Sequence, residues 1–286
     1  MLTSSTEKSV EPVLLRTSDE FKLRHLLSED PNSHLYLSGI ISDSGVMPLA
    51  GHPDFKFYGQ PSENGLAAAL FIGGRGGLVI PCATLPTQAI ALADAVLRRY
   101  PSPLQSCLGE KTAVEGLLNA FRVRSPRVTR LQTLFTVSAD DLGPFTNPTL
   151  RLATEMDVPQ IMTLAKAREA ERLDLHPETP VDFLLARIIH RVRGRRTYVL
   201  EINNILVFKV DVGSRSPLGA ELEGIYTLPG ERRQGHAILS LGQISRHLLG
   251  SMPRLAMRID DDDKIMPVLA RKVGYVAGKK QMLVIA

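Results

Sequence analysis

Hydrophobic residues recur at helical spacing in several stretches of the chain. Residues 87–99 carry Ile90, Leu92, Ala95 and Val96, residues 111–121 carry Val114, Leu117 and Leu118, and residues 237–249 carry Ala237, Leu241, Ile244 and Leu248. Each set falls on one side of a helix with a buried face. Further helices are predicted over 18–27, with Ser18 as N-cap, after Asp30-Pro31 through Leu35 and Ile40, and over 157–172, 180–193 and 264–272. Short apolar runs bounded by Gly, Pro and Asn predict strands. These fall at 13–16, 56–59, 66–72, 77–81, 106–108 and 131–137, then at 150–152, 197–202, 206–212, 220–228, 254–259 and 282–285. Residues 61–65 (Pro-Ser-Glu-Asn-Gly), Asn203-Asn204 and residues 213–219 are the turn signals between neighbouring strands.

The two halves give the same order: strand, two helices, three strands, helix, strand, helix, strand. The repeat lies in the pattern of elements, not in residue identities. Between them, Asp140, Asp141, Gly143, Pro144, Asn147 and Pro148 disfavour regular structure and predict a linker over 138–148. The expected architecture is therefore two α/β domains, 1–142 and 143–286, each a mixed central sheet flanked by helices (α+β in its strand directions). A chain of 286 residues suits two such domains better than one.

Composition narrows the function classes. The hydrophobic share of 44% and the charged share of 22% are ordinary for a folded protein with a core. No stretch approaches the ~18–20 apolar residues of a membrane span. The polar opening from Met1 to Val10 lacks the apolar core of a secretory signal, so a cytoplasmic location with no membrane partner is expected. The net charge of +4, with a pI near 9.1, favours an anionic cofactor only mildly. Basic clusters at 187–196 and 122–130 are not interleaved with aromatics, and no zinc-finger, RNA-recognition or basic-zipper signature occurs, so no nucleic-acid partner is expected. Trp is absent and aromatics make up 5%, which argues against a base- or sugar-stacking platform. Cys82 and Cys107 are isolated, predicting two buried free thiols and no metal site.

One loop carries chemistry. The apolar strand Gly224-Ile225-Tyr226-Thr227-Leu228 runs through Pro229-Gly230-Glu231 into Arg232-Arg233-Gln234-Gly235-His236-Ala237 and on into an amphipathic helix. A helix N-terminus fed by a strand offers free N–H groups and the positive end of the dipole to an anion. Gly235 allows close approach of the backbone, Ala237 leaves the helix start unobstructed, and Arg232 and Arg233 add positive charge.

On these residues the chain resembles the GNAT acetyltransferase superfamily. Arg232, Gly235 and Ala237 match the fixed positions of that family's Arg/Gln-x-x-Gly-x-Gly/Ala loop, and Arg271-Lys272-Val273-Gly274-Tyr275 is similar to the family's ending of its fourth helix. The resemblance covers Leu150 to Ala286. It implies acetyl-CoA or another acyl-CoA as cofactor, held by Tyr226, Thr227, Leu228, Arg232, Arg233, Gln234, Gly235, His236 and Ala237. The first half is similar in element order, but Pro81-Cys82-Ala83-Thr84-Leu85-Pro86 stands where the loop belongs, without its Gly or Arg. The chain thus resembles bacterial tandem proteins whose first GNAT-like domain is degenerate and shapes the substrate cleft or an oligomer interface such as a homodimer.

Acyl transfer to an amine needs a base, a polarised thioester and a proton for the thiolate. Family members use a carboxylate on the fourth strand. Glu223, then Glu221, are the candidates here, two apart and so on one strand face with Ile225 and Thr227, while Tyr226 points away. The plainer reading is two solvated carboxylates at a strand end. The family's acid, a helix-four Tyr, has Ala270 at its position, leaving water to protonate the thiolate; Tyr275 reads as core. The run Asp260 to Asp263 lacks the Gly and Glu of a calcium loop and reads as helix-capping acids. His236 is a variable loop position, and His190 and His247 read as surface or core residues. Glu169, Glu171 and Asp174 either border the acceptor and suit a cation, or form a solvated helix face.

The expected function is an N-acyltransferase for a small-molecule or protein amine. The rivals are a non-catalytic acyl-CoA-binding regulatory module and an interaction protein with a vestigial loop.

Overall fold

The computed structural model describes residues 11–48, 54–73, 77–83, 85–99, 104–171 and 180–286. By contacts the chain divides into the described residues up to 131 together with 280–286, and residues 132–279. Among the described residues, no helix is long and apolar enough to cross a membrane.

The first unit begins with β1 (Val13–Leu14), a 3-10 turn at Thr17–Asp19, α1 (Glu20–Glu29) and α2 (Pro31–Ser44). Ser18 lies inside that turn and does not cap α1; the nearby carboxylate of Asp19 accepts the Arg16 N–H at 3.1 Å instead. Asp30 caps α2 through the Ser33 N–H at 3.3 Å, and Pro31, lacking an N–H, occupies the first turn where none is needed. There follow β2 (Phe55–Ser62), β3 (Gly65–Gly73), β4 (Leu78–Ala83), α3 (Pro86–Arg99), β5 (Ser106–Glu110) and α4 (Lys111–Ala120). The sheet order is β1-β2-β3-β4-β5, closed by the chain's last strand, whose residues 281–285 run antiparallel to β5. The β4/β5 pairing is parallel and holds at two positions, Leu78↔Ser106 and Val79↔Cys107. Leu23, Leu26, Leu27 and Ile41 pack on Phe57 and Phe71 on one face, and Leu92, Val96, Val114 and Leu117 on Leu70 and Val79 on the other. Cys82 and Cys107 are free and buried, one on each face. Of the residues standing in place of a phosphate loop, Thr84 lies outside the described residues, and Pro86 opens α3 directly behind β4.

The second unit takes its first strand from β6 (Val128–Val137), whose residues 132–137 pair antiparallel with β11 (below). The stretch 138–148 has no regular structure, yet it is fastened: the Gly143 N–H donates to Val273 C=O at 2.8 Å, and Gly242 owes its lack of a side chain to Phe145 lying against it. Then come β7 (Arg151–Leu152), α5 (Val158–Ala170), α6 (Val181–Arg193), β8 (Thr197–Ile202), β9 (Ile205–Ser216), β10 (Gly219–Thr227), α7 (His236–Leu249), β11 (Leu255–Asp260), α8 (Met266–Val273) and β12 (Val276–Ile285). The order is β7-β8-β9-β10-β11-β6, the same arrangement as in the first unit. Each unit is thus a mixed sheet flanked by helices, the α/β architecture expected from the pattern. Asn203 and Asn204, both at positive φ, turn β8 directly into β9. The expected break over 213–219 is shorter, because β9 continues to Ser216 by taking Gly213 into a bulge opposite Glu221 and Leu222.

The unit's larger core places Leu241, Ile244 and Leu248 of α7 and Val273 of α8 against Phe208, Val210, Leu222, Met257 and Phe135. On the opposite face, Ile161 and Leu164 of α5 and Leu184, Ile188 and Val192 of α6 cover Val199, Leu206 and Tyr226.

Candidate functional site

The middle of β10 is irregular. Glu223 pairs with Asp211 of β9, yet Tyr226, not Ile225, pairs with Lys209. One extra residue is accommodated at Gly224, whose φ of +62° is the left-handed conformation that glycine adopts without strain. A Cβ on Gly224 would collide with the Asp211 carboxylate and lie 3.0 Å from Lys209 Nζ. The bulge inverts the alternation beyond it. Paired residues of an antiparallel ladder share a face, so Glu223, Tyr226, Lys209 and Asp211 all lie on the face covered by α5 and α6. Ile225 packs instead against the α7 core. The regular alternation that would send Tyr226 away from Glu223 and put Ile225 beside it is therefore corrected by this insertion.

β10 and β11 run parallel and pair only at Ala220↔Leu255 and Glu221↔Ala256. From Leu222 onward no further β10/β11 pairing occurs, so the β11-facing edge of β10 carries backbone groups without ladder partners on that side. Glu221 stands at the last paired position. Arg258, two residues beyond Ala256 on the same face of β11, reaches it through Nη1, and both side chains are about nine-tenths buried. Glu221 Oε2 and Arg258 Nε remain buried without hydrogen-bond partners. Burial pushes the Glu221 carboxyl up and the Glu223 charge adds to this, against the opposing pull of Arg258. The reading of both carboxylates as solvated strand-end groups does not hold for Glu221. Glu223 is half-exposed, and its carboxylate accepts from Arg191 Nη2.

Behind Glu223 lies a buried ion network. Lys209 Nζ is 2.5 Å and Arg191 Nη1 3.2 Å from Asp211 Oδ2, and Thr197 Oγ1 donates to Asp211 Oδ1 at 2.8 Å. Burial pushes the Asp211 carboxyl up, but Lys209 and Arg191 outweigh it and hold it below the usual range. Burial in turn lowers the Lys209 ammonium, with Asp211 opposing. The sequence held a signal for this network: Lys209 and Asp211 interrupt, at strand period, an apolar run from Ile205 to Val212. Arg191 and Arg258 carry no comparable mark.

The loop after β10 forms the anion-ready geometry expected of it. A 3-10 turn at Pro229–Glu231 leads to Arg233 at φ +65° and to Gly235 at φ +86°, the N-cap of α7. The first intrahelical bond runs from the Leu239 N–H to Gly235 C=O at 3.1 Å. The N–H groups of His236, Ala237 and Ile238 are thus left without intrahelical acceptors, at the positive end of the dipole. A Cβ on Gly235 would meet only Leu239 Cδ1 at 3.8 Å, so backbone conformation, not space, calls for glycine there. Arg233 and Gln234 are exposed.

Arg232 does not face the helix start. Its Nε donates to Thr227 C=O at 3.0 Å, and Nη2 donates to Glu171 at 2.7 and 2.8 Å. The Tyr226 hydroxyl donates to Glu171 Oε1 at 2.7 Å, and the guanidinium stands 5.4 Å from the Tyr226 ring centroid. Burial and the Glu171 carboxylate push the Tyr226 hydroxyl up to about 12. Arg232 thereby ties the loop to the C-terminal end of α5. Glu171 is not a free acid for a cationic acceptor, and neither is Glu169, 3.5 Å from Arg187. Asp174 lies outside the described residues. The side chain of Tyr226 belongs to the α5/α6 core, with Leu228 packed at its border, and the Tyr226 ring and hydroxyl meet the loop through Arg232 and Glu171.

Downstream, Asp263 serves the start of α8, accepting the Ile265 and Met266 N–H groups at 2.9 and 2.8 Å. Asp260 and Asp261 fasten β6 instead, through Gln132 Nε2 and Thr133 Oγ1, each at 2.7 Å. Tyr275 is buried as expected, 2.8 Å from Ser245 Oγ on α7, and Ala270 is wholly buried. His190 is exposed, and the His247 ring lies tilted against Tyr198, the centroids 5.9 Å apart.

No family model matches the chain, and no curated protein matches its sequence. Solved structures do match. A Drosophila protein superposes with a TM-score of 0.69 at 13% identity, over 96% of this chain and 98% of that one. A tandem GNAT protein from the clavulanic acid biosynthesis pathway gives 0.58 at 13% identity, over 96% and 98%. A GNAT-family acetyltransferase from Colwellia psychrerythraea gives 0.55 at 12% identity, over 96% and 100%. At these identities the likeness is one of fold.

Proposed function

From the tandem GNAT fold shared with these structures, we propose that the chain is an N-acyltransferase, moving an acetyl or other acyl group from acyl-CoA to a primary amine in a ternary complex. The observation that carries this reading is the combination, within one unit, of a glycine-capped helix start and a sheet that opens between β10 and β11 beside it. The pyrophosphate of the cofactor would lie on the N–H groups from Arg233 to Ala237. Its pantetheine arm, which carries two amides, suits the unpaired edge of β10 from Leu222 onward, as an added strand does. The thioester then comes to the bulge at Gly224, next to Glu223 and Glu221.

The acceptor enters as an ammonium. Glu223, or Glu221 in second place, takes its proton directly or through a water. The free amine attacks the thioester carbonyl and gives up its second proton to solvent, the carbon–sulfur bond breaks, and the thiolate leaves and takes a proton from water. The products are an N-acyl amide and CoA thiol, with one proton released to solvent. Holding both reactants in the opening supplies much of the acceleration. Ala270, at the place of the family's acidic Tyr, favours one second reading: a module that binds acyl-CoA and controls a partner without turnover.

Calorimetric titration of acetyl-CoA into the chain, followed by thiol release in the presence of amines, tests both readings. Binding with amine-dependent thiol release supports the transferase. Binding with an intact thioester across all amines supports the module, and no binding removes both.

A further inference from the structure

The buried ion pair at the last paired position of β10 and β11, where the two strands part, is half-satisfied. Arg258 Nη1 and one oxygen of Glu221 hold each other, while Arg258 Nε and Glu221 Oε2 are buried with no hydrogen-bond partner. Leaving a charged donor and a charged acceptor dry is costly unless something completes them. What completes them must bring a donor for the carboxylate and an acceptor for the guanidinium to neighbouring points. A single ligand that completes both must carry both groups itself.

The charge of the surrounding face points the same way. Lys209, Arg191 and Arg258 meet Asp211, Glu223 and Glu221, three cations against three carboxylates. Arg168 adds a further positive charge close enough to act on Lys209. A polyamine would bring several uncompensated positive charges onto a face that is already balanced or slightly positive. A zwitterion adds none.

Resting on the acyl-transfer reading, we infer that the acceptor is an amino acid or a similar small amine carrying its own carboxylate. Its ammonium is received by Glu221 Oε2 and its carboxylate by Arg258 Nε. Arg258 is then the residue that determines acceptor specificity, and Glu221 orients the amine beside Glu223. The chemistry is the balanced transfer given above, with the amino acid's nitrogen as nucleophile and its carboxylate unchanged.

The test uses the full chain with acetyl-CoA and a panel of the free amino acids, their C-terminal amides, an end-blocked lysine peptide and spermidine. Thiol release gives turnover, and thermal shift in the presence of CoA gives acceptor binding. The expected result is turnover of at least one amino acid, with kcat/KM for its amide lower by roughly 100-fold, the loss typical of leaving one partner of a buried charge pair unmatched. Arg258→Lys keeps the charge but loses Nε; it should raise KM for the amino acid and narrow the acid-to-amide ratio, with acetyl-CoA binding unchanged. The double variant Glu221→Gln, Arg258→Gln removes both charges together and should also abolish the preference, even if the single variant folds poorly. Equal or better turnover of amide, peptide or spermidine overturns the inference and leaves the transferase reading standing. Absence of both binding and turnover for every amino acid overturns it as well, and thiol release with no amine at all takes the transferase reading down too.

Discussion

Gly235 separates folding from binding in a way that can be measured. Its φ of +86° places it in the left-handed region, and its surroundings leave a Cβ room. Gly235→Asn should therefore cost only a few tenths of a kcal/mol, since Asn tolerates this conformation and caps helices well. Gly235→Ala should cost about 1 kcal/mol, the penalty for an L-residue in that region. Gly235→Glu meets the same backbone penalty, but a carboxylate at a helix N-terminus recovers part of it through the dipole, roughly 0.3–1 kcal/mol. Its stability should thus fall within about 1 kcal/mol of the parent. Binding should behave differently. A carboxylate about 5 Å from a pyrophosphate repels each of its charges by roughly 3 kcal/mol at an effective dielectric of about 20, before salt screening. Allowing for screening and for the side chain swinging outward, a loss of roughly 2–3 kcal/mol remains, or about 30- to 150-fold in Kd for acetyl-CoA. Urea unfolding gives the first quantity and calorimetry at two salt concentrations the second. If the Glu variant binds within threefold of the parent, or the Asn variant loses as much as the Glu variant, the anion does not sit on this helix start.

Three further outcomes follow from the buried charges and the bulge. Asp211→Asn strands the Lys209 ammonium in the core and should cost about 3–5 kcal/mol in urea unfolding, whereas Lys209→Met should cost clearly less, because Asp211 keeps Arg191 and Thr197; equal costs would refute the network as described. Gly224→Val combines a left-handed φ with a collision at the Asp211 carboxylate, and should lower stability by more than about 2 kcal/mol, with Gly224→Asn milder. Asp157 is held down to about 2 chiefly by the Arg151 side chain, with burial opposing and Thr154 assisting. Its folded value lies below the unfolded one, so its contribution is complete above about pH 4 and is lost as pH falls toward about 2. Asp157→Asn should therefore cost about 1–2 kcal/mol near neutrality, with the gap closing through that window; a gap independent of pH would show that the effect is not electrostatic.

Most of the fold was legible in the sequence because it rests on local rules. Hydrophobic periodicity, Asp30-Pro31 and the paired asparagines specify where helices begin and strands reverse, each within a few residues of chain. The loop was legible for the same reason: the glycine need at Gly235 and the free N–H groups of α7 follow from a strand, a turn and a helix in succession. What the sequence could not decide is anything that depends on counting across a ladder. A single bulge at Gly224 inverts the face of every residue after it, so alternation read along β10 put Tyr226 on the wrong side and Ile225 beside Glu223. Side-chain pairing is hidden in the same way, because partners lie far apart in the chain. Arg258 and Glu221 are 37 residues apart, and Arg232 and Glu171 are 61 apart. Only the tertiary structure turns Arg232 away from the start of α7 toward Glu171. It also buries Glu221 beside Arg258 and makes of Lys209, Asp211 and Arg191 one buried ion network rather than three surface charges. The sequence determined the elements and the glycine-capped start of α7, where the physics is short-range. The tertiary structure decided which charges meet, since desolvation and Coulomb attraction act through space and not along the chain.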